Sequence, residues 1–211
     1  MYSNEQKVMI ENQLKARGIG DKRILKAFEG VPRHRFVPDE SKSLAYSDLA
    51  LPIGGGQTIS QPYIVALMLS HLKPESTDKV LEIGSGSGYV SALLSKLVSK
   101  VYGLELNEKL VNKSKTLLKE LKFNNVKIIK GDGSLGSVHY QPFDKILISA
   151  AIPKIPESIF YQLNNNGILV APIGSRLHQK LTVFKKQSGK VSSEEFDSCM
   201  FVPMRGKAGF Y

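Results

Sequence analysis

The chain has 211 residues, enough for one sizeable core and too few for two comfortable domains, and its 42% hydrophobic and 23% charged residues exclude a disordered or fibrous protein. Its single cysteine, Cys199, cannot close an internal disulfide, the N-terminus is polar, and no stretch approaches the roughly 18 apolar residues of a membrane span, so a soluble cytoplasmic protein is expected. The net charge is +10, yet only six of the 29 basic residues are arginines and the lysines are spread from Lys7 to Lys207, which argues for a basic composition rather than a nucleic-acid-binding face.

In chain order, Val8, Ile10 and Leu14 with Met9 and Ala16 outline a helical apolar stripe from Asn4 to Gly18, and Gly18 suits a terminator. Asp21 is placed to cap a second helix carrying Ile24, Leu25 and Phe28, which must stop before Pro32. Residues 31–56 are rich in proline and glycine and read as irregular. Pro62 suits the first position of a helix through Val65, Leu67, Met68 and Leu72.

After Pro74 short apolar strands alternate with amphipathic helices. Strands are predicted at Lys79–Ile83, Val101–Leu104, Val126–Ile129, Lys145–Ile148 and Ile168–Ala171. Helices are predicted at Tyr89–Leu97, through Leu110, Val111, Leu117, Leu118 and Leu121, and near Ser158–Leu163. That alternation implies a parallel sheet with right-handed crossovers. Lys180–Lys185 and Lys190–Phe196, joined through Ser188-Gly189, read as an antiparallel hairpin added to the sheet edge. The expected fold is α/β and Rossmann-like, in a single domain over 1–211: residues 1–73 supply helices and a segment over the site, and 74–211 the sheet and C-terminal segment. Ligands of such a sheet bind at the carboxyl ends of its strands.

The first strand of the sheet runs into Gly84-Ser85-Gly86-Ser87-Gly88. Glycines there allow a sharp turn and close approach to a ligand. A dinucleotide fingerprint would need its third glycine where Tyr89 stands, and a phosphate-cradling loop would need a Lys followed by Ser or Thr. Glu82 beside the loop would repel pyrophosphate, whereas S-adenosylmethionine carries a sulfonium, an ammonium and no phosphate. Glu105 ends the second strand, placed for both ribose hydroxyls, with Leu106 beside it. Asp132, next to Gly133, follows the third and is placed for the adenine amine. Three acids at successive strand ends point to an S-adenosylmethionine-dependent methyltransferase, with Glu82, Gly84, Ser85, Gly86, Gly88, Glu105, Leu106, Asp132 and Gly133 as cofactor residues.

Methyl transfer is an in-line displacement, so the acceptor decides what further chemistry is needed. A base-carbon acceptor would require a cysteine near the fourth strand, but Cys199 lies far beyond it. An amino acceptor would require an Asn/Asp-Pro-Pro-Tyr turn, where this chain has Ser149-Ala150-Ala151-Ile152-Pro153. His34, His71, His139 and His178 show no ligand spacing and read as surface or packing residues, so no metal is expected. What remains is an acceptor already nucleophilic at neutral pH, such as a carboxylate with a pKa of about 4. A methyltransferase acting on RNA or a small molecule stays open, as does a nucleic-acid-binding protein with a relict cofactor site.

Three stretches carry a family resemblance: Val31-Pro32-Arg33-His34-Arg35-Phe36-Val37-Pro38, then Ala45-Tyr46-Ser47-Asp48, then Leu51 to Tyr63 with Gln57-Thr58-Ile59-Ser60-Gln61-Pro62 at its heart. The glycine loop, Gly131-Asp132-Gly133, Ala150 to Pro156 and Phe201-Val202-Pro203-Met204 follow in order. With these motifs the chain resembles the protein-L-isoaspartate O-methyltransferase family over nearly its whole length. The glycine loop is common to many methyltransferases; the Gln57–Pro62 segment is the specific part.

The resemblance implies methyl transfer from S-adenosylmethionine to the free carboxylate of L-isoaspartyl residues in damaged proteins and peptides. The products are a methyl ester and S-adenosylhomocysteine. The ester is a better leaving group, so the backbone nitrogen can then close a succinimide whose hydrolysis returns some normal aspartate. The resemblance further implies Ser60 as the catalytic serine, Gln57 to Ser60 as a flap over the cofactor with Gln57 and Thr58 binding it, and Ile59 and Val202 as a clasp on the substrate peptide. Gly54-Gly55-Gly56 reads as the flap's hinge, and Ser60 also suits a helix N-cap before Pro62. Gly55 stands where relatives often carry a larger residue, and Asn164-Asn165-Asn166-Gly167 replaces a usual Pro-Gly-Gly turn. Arg205 to Tyr211 forms a tail typical of some relatives. A monomer is expected, with isoaspartyl-containing proteins as partners and neither nucleic acid nor membrane.

Overall fold

A computed structural model describes residues 2–210; Tyr211, the end of the tail, lies outside them. The first helical stretch is not one α-helix. α1 (Tyr2–Met9) gives way to a π-turn over Ile10–Leu14 and a 3-10 turn over Lys15–Arg17, closed by Gly18 at φ 91°. A π-turn widens the spiral and rotates the apolar stripe. Met9, Ile10 and Leu14 are therefore buried, while Val8, 48% exposed, and Ala16 face out, against the expected pattern. α2 (Lys22–Gly30) is capped as expected, with Asp21 Oδ1 accepting from the Arg23 amide at 2.8 Å and Ile24, Leu25 and Phe28 buried.

Residues 31–56 are more ordered than their composition suggested. Arg33–Phe36 and Asp39–Leu44 form 3-10 turns, and β1 (Leu51–Gly54) pairs antiparallel with β2 (Gln57–Ile59). Gly54, Gly55 and Gly56 have φ of 96°, 62° and 71°, the left-handed region that glycine enters freely. The triplet is thus the tight turn at the tip of a hairpin, a position the hinge reading did not anticipate, because the glycine that frees a backbone is also the one a reversal needs. α3 (Pro62–Leu72) starts on Pro62 and buries Val65, Met68 and Leu72. His34 Nδ1 lies 2.8 Å from Tyr46 Oη, and His71 packs against Phe196, so both serve packing.

β3 (Lys79–Ile83), β4 (Lys100–Glu105), β5 (Val126–Lys130), β6 (Phe143–Ile148), β7 (Leu163–Gly174), β8 (Gln179–Gln187) and β9 (Lys190–Cys199) form one sheet in the order β5-β4-β3-β6-β7-β8-β9. The strands from β5 to β7 run parallel, and β8 and β9 are the antiparallel hairpin expected at the edge. Helices α4 (Tyr89–Ser95), α5 (Glu108–Glu120) and α6 (Glu157–Gln162) intervene. Asn164–Gly167 lies inside β7, where pairing with β6 is irregular and Asn166 turns at φ 62°. β3 illustrates how both faces of the sheet are covered. Val80 joins a cluster with Leu14, Phe28 and Leu69, while Leu81 and Ile83 join another with Ile146, Ile148 and Ile159. β4 lies on one side of β3 and β6 on the other, so the chain reverses its direction of sheet-building there and opens a crevice at the carboxyl ends.

Candidate functional site

The crevice encloses about 860 Å³ counting its open mouth. Its floor is the glycine loop, with Gly84, Gly86 and Gly88 at φ of 81°, 51° and 83°. Four of the loop's five amides are already engaged. Gly84 and Ser85 both donate to Leu104 O, at 2.8 and 3.0 Å, and Gly88 donates to Ser85 O at 2.8 Å. Gly86 N donates to Glu105 Oε2 at 2.8 Å. A pyrophosphate would find these donors occupied, which counts against the dinucleotide and phosphate-loop alternatives on geometry.

Glu105 is the carboxylate that faces this space. Its Oε2 takes the Gly86 amide and its Oε1 the Asn107 amide at 2.8 Å, which fixes the group at the cleft wall. A carboxylate oxygen has capacity beyond one bond, so acceptor strength is left for a ligand's hydroxyls.

The other two acids behave differently from expectation. Glu82 is only 1% exposed and does not line the cleft. It accepts from the hydroxyl of Ser91 and from Ser149 Oγ at 3.0 Å, and Ser149 is the residue at the cleft wall. Burial pushes the Glu82 carboxyl up to about 7, against the opposing effect of those two hydroxyls. Glu82 therefore meets a ligand through Ser149 and not directly, because strand alternation turns it into the core toward α4. Asp132 is tied into the protein: Oδ1 accepts from Ser134 N at 2.9 Å and Oδ2 from Lys207 N at 2.8 Å. Burial opposes its charge, but the hydrogen bonds from Lys207 and Ser134 prevail and hold its carboxyl below the usual range. Gly133 and Ser134 line the cleft beside it.

Of the remaining expected residues, Gln57, Thr58, Gly84, Gly86 and Leu106 line the cleft. Ser85 is buried behind it with its hydroxyl unpartnered, and Gly88 starts α4, packed against Ser114 and Leu118. Ser149, Asn107 and Arg205 also line the cleft and were not anticipated. Ser149 had a signal, since it directly follows β6 and the same strand-end rule that selected Glu105 reaches it. Arg205 had none, because it arrives from the far end of the chain.

A second depression adjoins the first. Ser60, Asp48, Tyr63, Arg17 and Leu49 line it. Thr58 and Val202 line both depressions and so form the partition between them. The N-cap of α3 is Gln61, with no side-chain capping bond, so the Ser60 hydroxyl is not committed to the helix end. Ile59 does not clasp anything in the groove: it is 4% exposed and belongs to the main core cluster, since alternation along β2 turns Thr58 out and Ile59 in.

The family model described as Protein-L-isoaspartate(D-aspartate) O-methyltransferase matches residues 4–209. The Protein-L-isoaspartate O-methyltransferase of Petrotoga mobilis is 47% identical over 211 residues, covering 99% of both chains. That of Methanoculleus marisnigri is 44% identical over 206 residues, covering 98% of this chain and 94% of its own. Among solved structures, a protein-L-isoaspartate O-methyltransferase superposes with a TM-score of 0.87 at 28% identity, over 99% of this chain and 67% of that one. A beta-aspartate methyltransferase from Plasmodium falciparum, in complex with S-adenosyl-L-homocysteine, superposes with a TM-score of 0.83 at 29% identity, over 95% of this chain and 98% of that one.

Proposed function

Because this chain belongs to the protein-L-isoaspartate(D-aspartate) O-methyltransferase family, we propose that its two adjoining depressions are the donor and acceptor sites of one methyl transfer. The enzyme esterifies the free carboxylate of L-isoaspartyl residues in damaged proteins with a methyl group from S-adenosylmethionine, and releases S-adenosylhomocysteine. The observation that carries the site assignment is the shared border: Thr58 and Val202 line both spaces, so a carboxylate held on one side and a methyl group on the other can meet directly beside them.

The donor cleft suits S-adenosylmethionine in its chemistry. Four of its five loop amides are satisfied, and it offers a fixed carboxylate where a phosphate site would offer free donors. When bound, S-adenosylmethionine supplies an electrophilic methyl group on a cationic sulfur. Glu105 accepts from the ribose hydroxyls, with Gly84, Gly86 and Leu106 along the same wall. The adenine end falls to the turn around Gly133, which Asp132 holds in shape by anchoring Ser134 and Lys207. Glu82 acts behind Ser149, and a cation in the cleft favours its ionised form. Gln57 and Thr58 cover the cleft from the hairpin and keep water out.

On the acceptor side, Ser60 is the catalytic residue. Its hydroxyl donates to the incoming carboxylate and orients it toward the partition, and no general base is required because the acceptor is already ionised. Val202 bounds the peptide from the C-terminal segment. The whole chain acts as one catalytic unit, since residues of the first 73 and of the sheet share a core cluster. It works as a cytoplasmic enzyme on isoaspartyl-containing proteins and not on nucleic acid, a reading supported by the single cysteine and the scarcity of arginine.

The test is incubation with labelled S-adenosylmethionine and matched aspartyl and isoaspartyl peptides. Base-labile label on the isomerised peptide alone is expected. Equal labelling of both peptides, or of neither while RNA is labelled, would overturn the assignment.

A further inference from the structure

Arg17 reaches the acceptor groove from the end of the first helical stretch. Its Nη1 donates to Asp48 Oδ2 at 2.7 Å, and its guanidinium lies over the Tyr63 ring, 3.3 Å from the centroid. All three residues line the groove together with Ser60 and Val202. Asp48 Oδ1 also accepts a long 3.5 Å bond from the Tyr63 amide in the first turn of α3, so the carboxylate spans the guanidinium and the helix that follows Ser60.

An arginine on an open surface samples many rotamers, and this one is held by a carboxylate on one side and an aromatic face on the other. A guanidinium has more donors than one carboxylate oxygen can use. Asp48 already balances the charge, so the remaining donors favour a neutral acceptor over a second carboxylate. An extended peptide lying in the groove presents such acceptors at every main-chain carbonyl.

Resting on the acceptor-groove assignment above, we infer that Arg17, clamped by Asp48 and Tyr63, binds the substrate by donating to a main-chain carbonyl beyond the immediate neighbours of the isoaspartyl residue. It reads the chain around the damaged site and not the carboxylate that is methylated, which belongs to Ser60 and the partition. A main-chain contact adds affinity whatever the neighbouring side chains are. That suits an enzyme whose substrates share a lesion and no sequence. Lysine cannot replace it, because a point charge on a flexible stem has no planar fork to stack on Tyr63.

The test compares the wild type, Arg17→Met and Arg17→Lys on a long isoaspartyl peptide and on the same peptide trimmed to one neighbour on each side. Arg17→Met is expected to raise KM for the long peptide about tenfold, the scale of one hydrogen bond from a charged group. It should leave kcat and the Kd for S-adenosylhomocysteine unchanged, and Arg17→Lys should recover little. On the trimmed peptide the wild type and Arg17→Met should share one KM. An unchanged KM on the long peptide overturns the inference. So does an equal rise on both peptides, which moves the contact to the isoaspartyl residue or its immediate neighbours, or a parallel loss of S-adenosylhomocysteine binding, which makes Arg17 structural. A wild type inactive on the long peptide would instead sink the functional assignment itself.

Discussion

Gly55 and Asn107 meet at the mouth of the donor cleft: a β-carbon on Gly55 would stand 2.3 Å from Asn107 Nδ2. The tip of the β1–β2 hairpin therefore rests on the turn after β4. The amide of that same Asn107 is held by Glu105 Oε1 at 2.8 Å. Flap and ribose-side wall meet here, and the missing side chain of Gly55 leaves the room for Asn107.

Gly55→Ala is expected to lift the hairpin tip. The new methyl collides with Asn107, and a φ of 62° costs a non-glycine residue about 1–2 kcal/mol. The Kd for S-adenosylhomocysteine, measured by calorimetry, should rise several-fold while kcat at saturating donor changes little. An unchanged Kd would separate the hairpin tip from donor binding.

Glu105→Ala removes the acceptor for the Gly86 and Asn107 amides as well as the carboxylate at the cleft wall. Donor affinity should fall at least about tenfold, since bonds to a charged group contribute about 1.5–3 kcal/mol each. Equilibrium binding of S-adenosylhomocysteine checks this, and a wild-type Kd would contradict the ribose role.

Ser60→Ala should lower kcat by about 10- to 100-fold, the cost of poor alignment. Donor binding should be intact, because Ser60 lines the acceptor groove and not the donor cleft. Steady-state rates on an isoaspartyl peptide decide it; a wild-type kcat would remove Ser60 from the catalytic machinery.

Glu82 gives the free enzyme a pH-dependent stability with a definite sign. Its carboxyl is raised from 4.5 to about 7, chiefly by burial. The folded state thus binds the proton more tightly than the unfolded state. The stability this confers is complete below about pH 4.5 and is lost as pH rises through about 7. Glu82→Gln stays neutral throughout, so its melting temperature relative to wild type should climb between about pH 5 and 8. Parallel melting curves for the two proteins across that window would show that Glu82 does not titrate there.

Much of the sheet is legible in the sequence alone, because its signals are local. Lys79–Ile83 is a short apolar run ending in glycines, and the same strand appears with the same bounds. Asp21 caps α2 because a carboxylate can reach the amide two residues on without help from the rest of the chain. Misreadings came where a local pattern admits two outcomes. A helical stripe around Val8 and Ala16 assumes one helical period, and the π-turn at Ile10–Leu14 breaks it. A glycine triplet makes either a hinge or a hairpin turn, and only the pairing of Leu51 with Ile59 selects the turn.

By itself the sequence determined the parallel α/β order, the edge hairpin, the glycine turn and the acids that end successive strands, since each follows from neighbours a few residues apart. Tertiary structure alone decided what those groups touch. It buried Glu82 behind Ser149, bound Asp132 to Lys207 from the tail, turned Ile59 into the core, and drew Arg17, Asp48 and Tyr63 together beside Ser60. Contacts between residues far apart in the chain depend on how whole elements pack, and a hydrogen bond or ion pair exists only within a few ångströms, a distance that sequence spacing does not encode.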